Sequence, residues 1–251
     1  MKYTLNKSIL LYLSVILFFP HLSNATILGT VDLTYAGYGA NDSMLVWGGY
    51  IQGMPVYAGV AKFIKTGGTN EGKLWSNGTI GAFCIELAEP RYNYSLTYDV
   101  IKPSSGPRPT TFLGSAMGET KAMYLQELWG RYYDPGWVTG DTYTDKQNSQ
   151  AAVFAACIWE IVHENFSGNP LAWDVTVDGT PGTGGFASDY VNSIIANNWL
   201  HSLDGTGPMA DLRIFSYDGM QDFLVAVPEP ATMVLLGMGS ALGLLRRKKK
   251  A

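Results

Sequence analysis

The chain has 251 residues, of which 15% are charged and 47% hydrophobic, with 17 basic and 21 acidic side chains. Seven of the basic residues and one acidic residue lie in two terminal segments, so residues 26–227 keep 10 basic and 20 acidic residues, a net charge of −10. Such a surface repels polyanions, which excludes nucleic acid as a partner and limits membrane contact to the terminal segments.

The N-terminal segment has the pattern of a secretory signal peptide. Two lysines precede an apolar run over residues 9–19, and Ser23-Asn24-Ala25 offers small residues for cleavage. The apolar run is shorter than the roughly twenty residues that a membrane span needs, which argues against an uncleaved anchor. Residues 1–25 are therefore predicted to be a signal peptide, with Thr26 as the first residue of the exported chain.

The predicted strands come first along the chain. Runs of β-branched and aromatic residues alternate with Gly- and Asn-rich turns, which is typical of antiparallel pairing. The predicted strands of this first half are residues 27–33, 44–47, 55–64, 79–87 and 95–101. Residues 102–109, rich in Pro, Ser and Gly, are predicted to form a loop.

The second half changes to helical spacing of its apolar residues. Predicted helices cover residues 117–133, 148–164 and, more weakly, 188–200, and predicted strands cover residues 171–177, 211–217 and 221–225. In the second helix, an apolar stripe follows the spacing i, i+3, i+4, i+7, i+8 through Phe154, Cys157, Ile158, Ile161 and Val162. A sheet, then helices, then returning strands predict an α+β domain over residues 26–226, an antiparallel β-barrel or sandwich with inserted helices.

The C-terminal segment, residues 227–251, combines three features in a fixed order. Pro228, Glu229 and Pro230 precede a largely apolar run over residues 231–245, and five basic residues follow. A helix in the membrane with a basic cytosolic end would hold the tripeptide at the outer face. The segment resembles the sorting signal of PEP-CTERM proteins, which an exosortase recognises and removes.

The resemblance to PEP-CTERM proteins implies an exosortase-type sorting enzyme as partner. It also implies a location at the cell surface or in the extracellular matrix, after transient anchoring in the inner membrane by a single hydrophobic helix. The alternative is a plain C-terminal anchor, but about fifteen apolar residues are marginal for a permanent span.

Three short segments of the domain resemble the thioester domains of bacterial surface adhesins. They are Phe83-Cys84-Ile85-Glu86 on a predicted strand, Ile158-Trp159 in the second helix, and Gln221 at the start of the last strand. The resemblance implies an internal thioester, in which the Cys84 sulfur displaces ammonia from the Gln221 side chain. The chain departs from the family where Phe154-Ala155 stands in place of a helix glutamine.

Two other states of Cys84 stay open. A disulfide between Cys84 and Cys157 suits an oxidising compartment and would stabilise the fold by about 2–4 kcal/mol. Against it, Cys157 lies within the apolar helix stripe, where a free buried cysteine behaves as a small hydrophobic residue. The third state is a free Cys84 thiol.

The predicted function is adhesion or matrix interaction, through a covalent bond that Cys84 and Gln221 make possible. The predicted partner is either a surface ligand that bears an amine or an exopolysaccharide. A thioester used once is binding without turnover, so no enzyme activity, cofactor or metal is expected. One alternative is non-covalent carbohydrate binding by Trp and Tyr side chains. Another is a glycoside hydrolase using Glu160 and Glu164, although such a pair is more common on the solvated face of a helix.

Overall fold

The computed structural model describes residues 25–48, 51–87, 89–91, 93–108, 115–163, 168–177 and 185–229. The predicted signal peptide up to Asn24 and the predicted sorting helix after Pro230 lie outside these ranges. Within the described ranges, no helix is both long enough and apolar enough to cross a membrane.

The described residues contain seven strands, and every pairing between them is antiparallel. They are β1 (Gly29–Gly48), β2 (Ile51–Asn70), β3 (Gly78–Cys84), β4 (Leu96–Ile101), β5 (Ala187–Asp189), β6 (Leu212–Ser216) and β7 (Phe223–Ala226). The order in the sheet is β2-β3-β7-β6-β4-β1-β5, and β1 also pairs with β2. Six strands therefore close into a ring, which corresponds to the barrel rather than the sandwich of the predicted α+β fold.

The first hairpin is longer than the sequence predicted. Residues 27–33 and 44–47 were expected to be separate strands, but most of the first run and all of the second belong to β1, which stays paired with β2. Register shifts interrupt this pairing at four places, and Gly37 at one of them has a φ of 104°. Because an extra residue at a bulge moves the following side chains to the other face, the alternation breaks and one strand looks like two.

Three helices follow the predicted order: α1 (Gly118–Tyr132), α2 (Asp145–His163) and α3 (Ser193–His201). The helix α2 packs against β1 and β2, with α1 and α3 beside it. Every residue of α2 from Ala151 onward is buried, as expected for a helix enclosed on all sides. Short 3₁₀ turns cover Glu71–Leu74, Pro103–Ser105, Pro135–Trp137 and Pro170–Ala172.

Two predictions between α2 and β6 are wrong. The strand expected at residues 171–177 is a 3₁₀ turn followed by irregular chain, because the Asn169 side chain accepts a hydrogen bond from the Leu171 N–H and starts the turn. The third helix was expected to begin at residue 188 but begins at Ser193. Asn192 caps this helix, because its side chain accepts a hydrogen bond from the Ile195 N–H.

The closed sheet separates two hydrophobic clusters. The cluster inside the ring includes Val31, Leu33, Phe63, Ile80, Ala82, Tyr98, Phe215 and Phe223. The cluster between the sheet and the helices includes Val60, Phe83, Ile85, Phe154, Ile158 and Leu224. Because successive strand residues face opposite sides, Cys84 shares the inner face of β3 with Ile80 and Ala82, at the end of the strand.

Candidate functional site

A cavity of about 300 Å³ lies beside the point where β3 ends and β7 begins. Cys84, Gln221 and Trp159, one from each of the three segments that the sequence singled out, all line it. Glu86 and Arg91 also line it. The structure therefore brings the two predicted thioester residues and Trp159 to one cavity, although they are distant along the chain.

The pairing of β3 with β7 explains why Cys84 and Gln221 meet. Cys84 lies opposite Phe223, and the Ile85 N–H donates to the Asp222 carbonyl over 3.1 Å, so the register continues past the strand end. Gln221 is two residues before Phe223 and shares its side of the chain. The Cα atoms of such diagonal neighbours on paired strands lie about 7–8 Å apart, a gap that a glutamine side chain can span.

A second contact fixes the backbone of Gln221. Its N–H donates to the Pro90 carbonyl over 3.1 Å, which ties the start of the last strand to the segment after β3. The residue that follows Pro90 is Arg91, so the same contact brings the guanidinium to the cavity wall.

The thiol of Cys84 is held in its protonated form. Its Sγ donates to the backbone carbonyl of Glu86 over 2.6 Å. Burial raises the pKa of the thiol to about 12, despite smaller opposing effects of that hydrogen bond and of Trp159 and Arg91. The residue is partly buried and lines the cavity. Cys84 is thus not a solvent-activated thiolate, and it can react only with a group held against it.

Two carboxyl groups, those of Glu86 and Asp222, belong to the two chain segments beside the Cys84–Phe223 pair. Glu86 Oε2 accepts from the Asp222 N–H over 2.9 Å, while the Asp222 carboxylate accepts from the Arg108 and Tyr217 N–H groups over 2.8 and 3.1 Å. Burial, followed by the charge of Asp222, raises the pKa of Glu86 to about 10, and burial raises the pKa of Asp222 to about 7. Glu86 is therefore uncharged at neutral pH, whereas Asp222, which is not among the cavity-lining residues, is close to the midpoint of its titration.

Arg91 provides the positive charge of the cavity. Its Cζ lies 3.6 Å from the centroid of the Tyr35 ring and 5.0 Å from that of Tyr38. Both terminal nitrogens donate to the Tyr38 hydroxyl over 3.2 Å. Among the described residues, no carboxylate lies within ion-pair distance of Arg91. The guanidinium is held by two aromatic rings and the Tyr38 hydroxyl, and it lines the cavity.

Cys84 and Cys157 are both free thiols in the structure. Cys157 is fully buried in α2, and its Sγ donates to the Ala196 carbonyl of α3 over 3.5 Å. It fills the helix interface as the apolar stripe predicted. Ala155 of the same helix is also buried, with 1% of its surface exposed.

Glu160 does not lie on a solvated helix face, so that expectation is wrong. It is fully buried, and its Oε1 accepts from the Asp174 N–H over 3.0 Å, because the chain after the Pro170–Ala172 turn covers this side of α2. Glu164 lies outside the described residues. Over the part of the chain that the structure describes, no group of three or more His, Cys, Asp or Glu residues is arranged to hold a metal ion.

Sequence reasoning quoted Glu86 within a motif but gave it no role, and it missed Arg91, Tyr38 and Asp222. An acidic residue within a mostly apolar predicted strand, and an acidic residue directly after Gln221, were the available signals for the two carboxyl groups. Arg91 follows a proline in a loop and belongs to no periodic pattern, so only the fold reveals its place.

The C-terminal segment matches the PEP-CTERM protein-sorting motif over residues 226–250. The match confirms the predicted sorting signal, and the chain is therefore an exported cell-surface protein processed by an exosortase. Pro228 and Glu229 are exposed at the end of the described chain, and Pro230 lies beyond it. No curated protein and no solved structure shows significant similarity to the chain.

Proposed function

We propose that this exported protein binds its target covalently, through an internal thioester between Cys84 and Gln221. The observation that carries the proposal is the shared cavity, where the sulfur-bearing and amide-bearing residues lie on adjacent paired segments with Trp159 beside them. A protein used once in this way is an adhesin or matrix component rather than an enzyme, which agrees with sorting to the cell surface.

Thioester formation needs no cofactor. The Cys84 sulfur attacks the side-chain amide carbon of Gln221, the new C–S bond forms, the C–N bond breaks, and ammonia leaves with the thiol proton. Because Glu86 beside the sulfur is uncharged at neutral pH, it does not oppose the negative charge that develops on the amide oxygen.

The same enclosure would protect the thioester once it has formed. The walls of the cavity beside the bond include the apolar side chains of Trp159, Phe223 and Leu87, which limit the access of water. A nucleophilic group of a target, an amine or a hydroxyl, would then take over the acyl group of residue 221 and release the Cys84 thiol.

Intact-mass measurement of the purified exported protein tests the proposal. We expect a mass lower than calculated by one ammonia, and methylamine should add its own mass while exposing one thiol. Cys84→Ala and Gln221→Ala should each abolish the deficit. Cys157→Ala and Gln126→Ala, a buried cysteine and a glutamine that do not line the cavity, are matched controls and should keep it.

Other results would contradict the thioester. A disulfide would lower the mass by two hydrogens instead, respond to reductant, and disappear in Cys157→Ala. The full calculated mass with two titratable thiols would leave both cysteines free.

Non-covalent carbohydrate binding is the second candidate, because two tyrosines lie at the cavity. Tyr57 is 64% exposed, and its ring centroid lies 5.5 Å from that of Tyr38. Aromatic rings of this kind stack on sugar faces. Binding on a glycan array that is unchanged in Cys84→Ala and lost in Tyr57→Ala would favour this candidate over the covalent one.

A further inference from the structure

The charge of the cavity restricts what can enter it. Arg91 and Glu86 are the two basic or acidic side chains among the described residues that line the cavity. Because Glu86 is uncharged at neutral pH, Arg91 is the one of the two that carries a charge. A lysine amine is mostly an ammonium ion at neutral pH, and the guanidinium repels it. A carboxylate, in contrast, gains a charge-assisted hydrogen bond from a guanidinium.

The entrance suits a sugar ring. Tyr57 and Tyr38, with rings tilted by 51° to each other, line the cavity together with Arg91. Aromatic faces bind the apolar faces of sugars, and a volume of about 300 Å³ is within the range of small-ligand pockets.

From the Arg91 guanidinium, which no carboxylate of the described residues pairs with, the two tyrosines and the neighbouring Cys84 and Gln221, we infer that the acyl acceptor is a hydroxyl group of an acidic sugar whose carboxylate pairs with Arg91. This inference rests on the proposed thioester and adds the substrate class. The target is then an acidic polysaccharide, and the covalent link is an ester.

The transfer balances without a further reactant. The sugar hydroxyl oxygen attacks the acyl carbon of residue 221, the C–O bond forms as the C–S bond breaks, and the hydroxyl proton ends on the Cys84 sulfur. Because the thiol has a pKa of about 12, the departing sulfur is basic enough to accept that proton.

The acidic surface of the protein does not contradict an acidic target. Charges separated by more than about 8–10 Å are screened at physiological ionic strength, so the net charge mainly slows the encounter. The choice between an acidic and a neutral sugar is made inside the cavity, where the ligand lies next to Arg91.

The inference is tested with two sugars that differ in the carboxylate. The purified exported protein is incubated with equal concentrations of methyl glucuronide or methyl glucoside, and the covalent adduct is followed by intact mass. We expect the glucuronide adduct to form at least about tenfold faster, as for a charge-assisted hydrogen bond. In Arg91→Gln the two rates should become similar, and Arg91→Lys should keep part of the preference. Lys102→Gln is the control, because it removes a positive charge from an exposed residue that does not line the cavity. This variant should keep the full preference for the glucuronide.

Methylamine separates failure of this inference from failure of the thioester. Equal rates for the two sugars in the wild-type protein, or no sugar adduct where methylamine still opens the thioester, would overturn the acidic-sugar acceptor and leave the thioester standing. Absence of both the mass deficit and the methylamine reaction would remove the thioester, and this inference with it.

Discussion

The buried carboxyl group of Glu86 makes the stability of the folded domain depend on pH. Only 2% of the residue is exposed, and its pKa rises from an ordinary value of 4.5 to about 10, chiefly through burial. Between these two values the unfolded chain ionises Glu86 while the folded chain keeps the proton. Rising pH therefore favours the unfolded state, by up to about 1.4 kcal/mol per pH unit.

We predict that Glu86→Gln flattens this dependence. Glutamine keeps an oxygen that accepts from the Asp222 N–H but has no proton to lose. The free energy of unfolding of the variant, measured by urea denaturation from pH 5 to 9, should rise relative to the wild type as the pH increases. Glu119→Gln, at an exposed glutamate, is the control and should follow the wild type. Parallel curves for Glu86→Gln and the wild type would mean that Glu86 ionises in the folded protein.

At the scale of residues, the sequence named Cys84 and Gln221, which the structure places at one cavity, but it missed the residues around them. Cys84 and Gln221 carry local motifs, and their resemblance to a known arrangement was enough to name both. The charge state of Glu86 depends on burial by residues far away in the chain, and the place of Arg91 depends on stacking against Tyr35. Neither can be read from a short pattern.

At the scale of elements, α2 is the support on which the cavity depends. It carries Trp159 to the cavity, and the neighbouring Ile158 is fully buried in the hydrophobic cluster between the sheet and the helices. We predict that Ile158→Asp destabilises the domain by about 3–5 kcal/mol, because it leaves an unpaired charge in the core. The midpoint of urea denaturation should fall accordingly.

The helix α3 provides a matched control for that substitution. Ile194 is 74% exposed in the first turn of α3, where an aspartate is favoured by the helix dipole. Ile194→Asp should change the stability by no more than about 0.5 kcal/mol. If both variants unfold at the same urea concentration as the wild type, the buried stripe of α2 is misassigned.

The elements themselves were predicted where periodicity is strong and missed where it is broken. The helices α1 and α2 and the strands β4, β6 and β7 were found close to their observed bounds, because an apolar period over several residues is a local property. The continuity of β1 was missed at its bulges. The closure of the ring was left open between two alternatives, since pairing between distant strands has no local signal.

At the scale of the whole molecule, the fold ends where the sorting signal begins. The Val227 N–H donates to the Asp211 carbonyl over 2.8 Å as the chain leaves the sheet, and Pro228 and Glu229 behind it are exposed. The tripeptide is therefore not enclosed by the domain, and a folded domain can present it to a membrane enzyme.

We predict that Glu229→Ala, or deletion of residues 246–250, leaves the protein unprocessed at the inner membrane. The tripeptide presents the cleavage site, and the basic residues hold the orientation of the helix by the preference of Lys and Arg for the cytosolic side. Fractionation and intact mass of the product measure the effect. Glu119→Ala, which removes an exposed carboxylate from the domain, should be processed like the wild type. Unchanged mature mass and unchanged release in both sorting variants would contradict recognition of this segment by an exosortase.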